Sequence, residues 1–70
     1  MYATRIRLTI AEHSADTPTD EQVRQVECWM RSEFGTLDGL SADDFGVAVL
    51  DAWELVVHHP TESAALAATY

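Results

Sequence analysis

The sequence contains no lysine, one cysteine and no long apolar run. Its four basic residues are all arginines, and twelve acids set against them give a formal net charge of −8. The lone thiol, Cys28, excludes a disulfide framework, and the scarcity of closely spaced Cys and His argues against a structural zinc site. No segment approaches the ~20 apolar residues that span a bilayer, and residues 1–10 lack the apolar core of a signal peptide. We therefore expect a cytoplasmic protein that has no cofactor and does not enter a membrane.

The chain is short enough to predict one domain, residues 1–70. A domain of this size lies near the lower limit at which a hydrophobic core holds a fold without help. The hydrophobic fraction of 47% suits a folded chain. With no disulfide or metal expected, a well-packed core or a homodimer has to supply the stability.

The first ten residues predict a β-strand and give the domain an expected α+β class. Ile6, Leu8 and Ile10 fall on one face of the segment 2–10, because apolar residues recur there with a period of two. Three polar residues fall on the other face: Arg5, Arg7 and Thr9. Glu12 to Thr17 then reads as a polar connector.

A first helix is predicted from Pro18 to Phe34, with Thr17 as its cap and Gly35 as its end. Its apolar stripe contains Val23, Val26, Met30 and Phe34. Asp20 with Arg24, and Glu27 with Arg31, are acid-before-base pairs four residues apart, a spacing that supports a helix.

A second helix is predicted from Ala42 to about His59, between the cap Ser41 and the helix-breaking Pro60. Projection at 100° per residue gathers its polar residues in one arc, with Val47 among them: Asp43, Asp44, Asp51, Glu54 and His58. The rest of this helix is apolar over most of its circumference, which requires several neighbours. The alternative is a β-α-β-β fold with a hairpin over residues 45–58, favoured by the frequent β-branched residues. Residues 61–70 predict a short helix or a frayed tail.

Sequence features that could support catalysis are weak. His58, His59 and Glu62 suggest a metal site, but Pro60 interrupts the helix that would align them. Cys28 projects away from the apolar stripe and is expected to be exposed, with acidic neighbours that raise a thiol pKa instead of activating it. No phosphate-binding loop or nucleophile motif is present, and a chain this short leaves little room for an enclosed pocket. We expect no enzymatic activity.

The two tryptophans lead to different expectations. Trp53 lies within the apolar arc of the second helix and is predicted to be core. Trp29 projects about 120° from the stripe of the first helix at 100° per residue. It either anchors a partner, as exposed aromatics often do, or is covered by the strand or by the C-terminal tail.

The acidity predicts a small interaction module without enzymatic activity. A strongly negative surface attracts basic surfaces and repels phosphates. The predicted partner is a basic, nucleic-acid-binding protein, which an acidic helix face would block by imitating nucleic acid, as antitoxins and phage-encoded inhibitors do. The expected binding residues are Asp43, Asp44, Asp51, Glu54 and Trp29. The simpler alternative is that the charge only keeps a small protein in solution.

The predicted order of strand, helix, glycine-containing loop and Ser-capped helix, from Arg5 to about Val57, resembles the ribbon-helix-helix family of dimeric DNA-binding proteins. The resemblance implies a homodimer in which Arg5, Arg7 and Thr9 enter the major groove. Asp43 and Asp44 stand where that family places a phosphate, and the net charge opposes DNA binding. Direct nucleic-acid binding is therefore the less favoured hypothesis.

Overall fold

The segment predicted as a strand is the first of four α-helices. The computed structural model describes residues 2–70, and the helices are α1 (Tyr2–His13), α2 (Asp20–Phe34), α3 (Ala42–His58) and α4 (Pro60–Ala67). No strand occurs anywhere in residues 2–70. The predicted α+β class is therefore wrong, as is the alternative with a hairpin over residues 45–58.

Helix α1 forms because its apolar residues also fit a helical repeat. Ile6 and Ile10 are fully buried, four residues apart, and the Tyr2 ring stacks on Phe45 of α3 with 6.0 Å between ring centroids. A spacing of four satisfies both a strand and a helix, so only Leu8 distinguishes them. Leu8 is 58% exposed, which is the position that a helix gives it.

Helix α2 begins two residues later than predicted. Its cap is Thr19, not Thr17: the Gln22 backbone N–H donates to Thr19 Oγ1 at 3.1 Å, and the Thr19 N–H donates to Gln22 Oε1 at 2.9 Å. This reciprocal pair is a capping box with glutamine at the third position. The predicted end at Gly35 is confirmed, since Gly35 has φ 76°, a conformation that glycine adopts without strain.

Helix α3 confirms the predicted second helix. The Asp44 N–H donates to the cap Ser41 Oγ at 3.1 Å. The helix ends at His58, because His59, which precedes Pro60, leaves the helical region with φ −132° and ψ 61°. Pro60 then starts α4, which confirms the short C-terminal helix over the frayed tail.

Most of the broad apolar surface of α3 is covered by the other three helices, each of which packs against it, while Val47 and Val57 stay exposed. Its buried residues are Phe45, Ala48, Val49, Ala52, Trp53 and Val56, and the prediction that Trp53 is core is confirmed. One chain therefore covers this helix without a second copy. None of the helices within residues 2–70 has the length and apolar character needed to cross a membrane.

Candidate functional site

The four acids expected to bind a partner are all exposed on α3. Three of them line a groove that runs along α3 beside the C-terminal half of α1; we call it the α3 groove. It consists of two adjoining depressions of about 380 and 320 Å³ that share His13 and Leu50. Four carboxylates line it: Glu12, Asp43, Asp51 and Glu54. Asp44 is exposed but does not line the groove.

The carboxylates of the groove have little compensating charge. Glu12, Asp43 and Asp51 form no ion pair within residues 2–70, and Glu54 Oε2 lies 3.0 Å from His58 Nε2, a pair that is charged only when the histidine is protonated. The other histidine of the groove, His13, donates from Nδ1 to the Thr9 carbonyl oxygen at 3.1 Å. The groove therefore presents negative charge to the solvent.

Apolar residues of α3 also line the α3 groove. Val47 is 61% exposed, and Leu50 is half-buried between the two depressions. Gly46 lies beside them, and a Cβ atom built on it would have no heavy atom within 4 Å. Gly46 thus leaves an open position, without a side chain, in the apolar strip that it forms with Val47 and Leu50.

The arginines, in contrast, are engaged within the fold. Arg7, Arg24 and Arg31 line a depression of about 470 Å³ between α1 and α2, which we call the arginine seam. Each has a carboxylate partner: Arg7 Nη2 is 2.6 Å from Asp20, Arg24 Nη1 is 3.1 Å from Glu21, and Arg31 Nε is 3.0 Å from Glu27. Two also bind backbone carbonyls, with Arg7 donating to Pro18 and Arg24 to Ala67. The prediction that Glu27 pairs with Arg31 is confirmed, whereas Arg24 pairs with Glu21 and not with Asp20.

The basic cluster expected on one strand face does not exist. The guanidinium carbon of Arg5 lies 4.0 Å from the centroid of the Phe45 ring on α3, a cation–π contact. Arg7 turns toward α2, and Thr9 Oγ1 donates to the Arg5 carbonyl oxygen at 2.8 Å. Because residues 2–70 contain no ribbon strand, the ribbon-helix-helix layout is wrong for this chain.

Trp29 is covered by the C-terminal helix α4. Cover by the C-terminal segment was one of the two expectations for this residue. It is half-buried, and its Nε1–H donates to Ser63 Oγ at 2.8 Å. Ser63 is fully buried and can donate in turn to the His59 carbonyl oxygen at 2.9 Å. The indole N–H is thus committed to the fold, and Trp29 does not line the α3 groove. Its role at an interface remains a prediction.

Cys28 is buried, with 6% of its surface exposed, so its predicted exposure is wrong. The interpretation failed because α2 packs against three helices and buries a second face beyond its apolar stripe. Burial raises the pKa of the Cys28 thiol; the positive charge of Arg24 opposes this shift, and the negative charge of Glu27 adds to it.

The histidine cluster does not form a metal site. His58 pairs with Glu54 on α3, and His59 Nδ1 lies 3.7 Å from Glu62 on α4. Within residues 2–70 no group of three or more His, Cys, Asp or Glu side chains is placed to hold a metal ion.

Sequence reasoning missed the α1 side of the groove. Glu12 and His13 were assigned to a connector, although Thr9, Glu12 and His13 have the i, i+3, i+4 spacing that places residues on one helical face. The sequence alone did not indicate a role for Gly46, because such a role depends on the residues that surround it in the fold. Comparison with protein-family models, with curated proteins and with solved structures finds no match to this chain.

Proposed function

We propose that this protein is a non-enzymatic interaction module whose α3 groove binds a basic surface of a partner protein. The observation that carries the proposal is the unequal use of charge. All four arginines make contacts inside the fold, while the carboxylates of the α3 groove face solvent and none of them pairs with an arginine in residues 2–70.

The expected partner binds nucleic acid when it is free. A surface that holds phosphates is rich in Arg and Lys, and it is attracted to an anionic surface through the same charges. The carboxylates of the α3 groove would occupy such a surface in place of phosphates. The module would therefore act as a competitive blocker of nucleic-acid binding, in the cytoplasm where such partners are found.

The groove suits binding better than catalysis. A catalytic site needs a sheltered pocket and an activated group, and the acids that line the α3 groove are exposed on an open surface. The proposal also requires no homodimer, because the buried face of α3 is covered by helices of its own chain.

The test uses a labelled arginine-rich peptide and an oligonucleotide that binds it. The protein should bind the peptide, release the oligonucleotide, and lose affinity steeply as salt is added, because screening weakens charge attraction. Asp51→Lys combined with Glu54→Lys should reduce the affinity at least about tenfold, which corresponds to about 1.4 kcal/mol.

A matched control separates the groove from overall charge. Glu33→Lys with Glu62→Lys changes the net charge by the same amount at exposed positions outside the groove, and Glu62, like Glu54, has a histidine neighbour. This control should retain most of the affinity. Equal losses in the two variants, or binding that does not respond to salt, would contradict the proposal.

A further inference from the structure

We propose that the element bound in the α3 groove is a basic amphipathic α-helix of the partner, whose backbone approaches α3 most closely over Gly46. This inference rests on the proposed function and specifies the shape of the partner.

Gly46 has no explanation inside the monomer. Glycine is among the least favourable residues for a helix interior, and Gly46 lies within α3, a helix of 17 residues. Its backbone φ is not positive, unlike that of Gly35, and an added Cβ would meet nothing within 4 Å. Neither backbone strain nor crowding inside the fold therefore requires glycine at position 46. Close approach of another backbone from outside would require it.

The groove has a layered composition that matches an amphipathic helix. Gly46, Val47 and Leu50 form a short apolar strip on α3. Asp43 and Glu54 lie toward the two ends of this strip, Asp51 lies beside it on α3, and Glu12 faces it from α1. A partner helix with a short apolar stripe bordered by Arg or Lys would place its apolar residues on this strip and its charges against the surrounding carboxylates.

A helix fits the groove better than an extended strand. Strand addition requires an exposed sheet edge, and residues 2–70 contain no sheet. From Asp43 to Glu54 the groove follows α3 for about three turns, or roughly 16 Å at 1.5 Å per residue. A partner helix of similar length would span both depressions.

The test compares two synthetic peptides with the same composition of Arg, Leu and Ala. In one, the leucines recur at i, i+3, i+4 and i+7 with arginines beside them; in the other, the order is scrambled so that no apolar face forms. The protein should bind the amphipathic peptide at least about tenfold more tightly than the scrambled one and should induce its helical circular dichroism signal.

The decisive variant is Gly46→Leu, which places a large side chain on the apolar strip of the groove and is a better helix former than glycine. We expect its melting temperature to equal or exceed that of the unmodified protein, while its affinity for the amphipathic peptide falls about tenfold or more. Gly46→Ala adds a single methyl group and should give a smaller loss with an intact fold. Ala64→Leu, at an exposed position on α4, is the control and should leave the affinity unchanged.

The outcomes separate the two proposals. If Gly46→Leu binds the amphipathic peptide as well as the unmodified protein does, or if the scrambled peptide binds equally well, the helix in the groove is wrong. The proposed function survives that result if Asp51→Lys with Glu54→Lys still reduces the affinity for the arginine-rich peptide at least about tenfold. If neither peptide binds in a salt-dependent manner, both proposals fail.

Discussion

The arginine seam and the α3 groove lie on two sides of α1, and they use charge in opposite ways. In the seam, the guanidinium groups of Arg7, Arg24 and Arg31 each meet a carboxylate within 3.1 Å. In the groove, the carboxylates outnumber any basic group near them. The net charge of −8 is therefore unevenly distributed, and most of its excess is available for contacts outside the molecule.

Some acidic side chains, such as Asp20, make contacts that stabilise the fold, and others, such as Asp51, do not. Asp20 holds Arg7 near the start of α2, and Arg7 also binds the Pro18 carbonyl, so this pair joins α1 to the connector that follows it. Asp51 makes no ion pair within residues 2–70, and it is exposed in the middle of α3. An acid that contributes nothing to the fold is a better candidate for a binding role.

The largest expected effect concerns α1, the helix that both regions share. Ile6→Ala should lower the free energy of unfolding by about 2–5 kcal/mol, because Ile6 is fully buried and its truncation leaves a cavity. Leu8→Ala should change it by no more than about 0.5 kcal/mol, because Leu8 is mainly exposed. Urea denaturation of both variants measures the difference. Similar losses at the two positions would fit a strand, with Ile6 and Leu8 on one buried face, and would contradict α1.

Most of α2, α3 and α4 could be predicted from the sequence. Ser41, Pro60 and Gly35 mark helix ends through local backbone and capping preferences, and all three predictions were confirmed. The strand prediction failed at α1 because Ile6 and Ile10 fit both repeats, and tertiary packing decided between them. The segment is also rich in β-branched residues, which favour strands in isolation.

Only the α3 side of the candidate site could be predicted from the sequence. The carboxylates of α3 follow from its own periodicity, so Asp43, Asp51 and Glu54 were correctly placed on one exposed face. Glu12 comes from another helix, and its position depends on how α1 packs on α3. The cover that α4 places over Trp29 is a long-range contact of the same kind, 34 residues apart in the chain.

A smaller effect on the free energy of unfolding is expected when one charged side chain is neutralised in the arginine seam or in the α3 groove. Arg7→Gln should lower the free energy of unfolding by about 1 kcal/mol, mainly through the lost hydrogen bond to the Pro18 carbonyl, since the ion pair with Asp20 is exposed. Asp51→Asn should cause no loss, because its carboxylate makes no ion pair in the described residues. Thermal melts at low salt compare them. A destabilised Asp51→Asn with an unaffected Arg7→Gln would reverse the assignment of the two regions.

The smallest effect is the pH dependence of Cys28 in the arginine seam. Burial raises the pKa of its thiol, so on raising the pH the unfolded chain loses the thiol proton before the folded chain does. The free energy of unfolding should therefore be unaffected by Cys28 below the ordinary thiol pKa and should decline between that pKa and the raised one. Cys28→Ala should remove this decline.

Alkylation of Cys28 provides the direct measurement. The thiolate is the reactive form, so iodoacetamide should modify the folded protein much more slowly than the urea-unfolded protein at mildly alkaline pH. Arg24→Gln should slow the folded reaction further, because the positive charge that opposes the effect of burial is lost. Equal rates in the folded and unfolded protein would mean that the seam is open to solvent. The seam and the groove would then differ only in their charge pairing, and the distinction between them would rest on the arginine contacts alone.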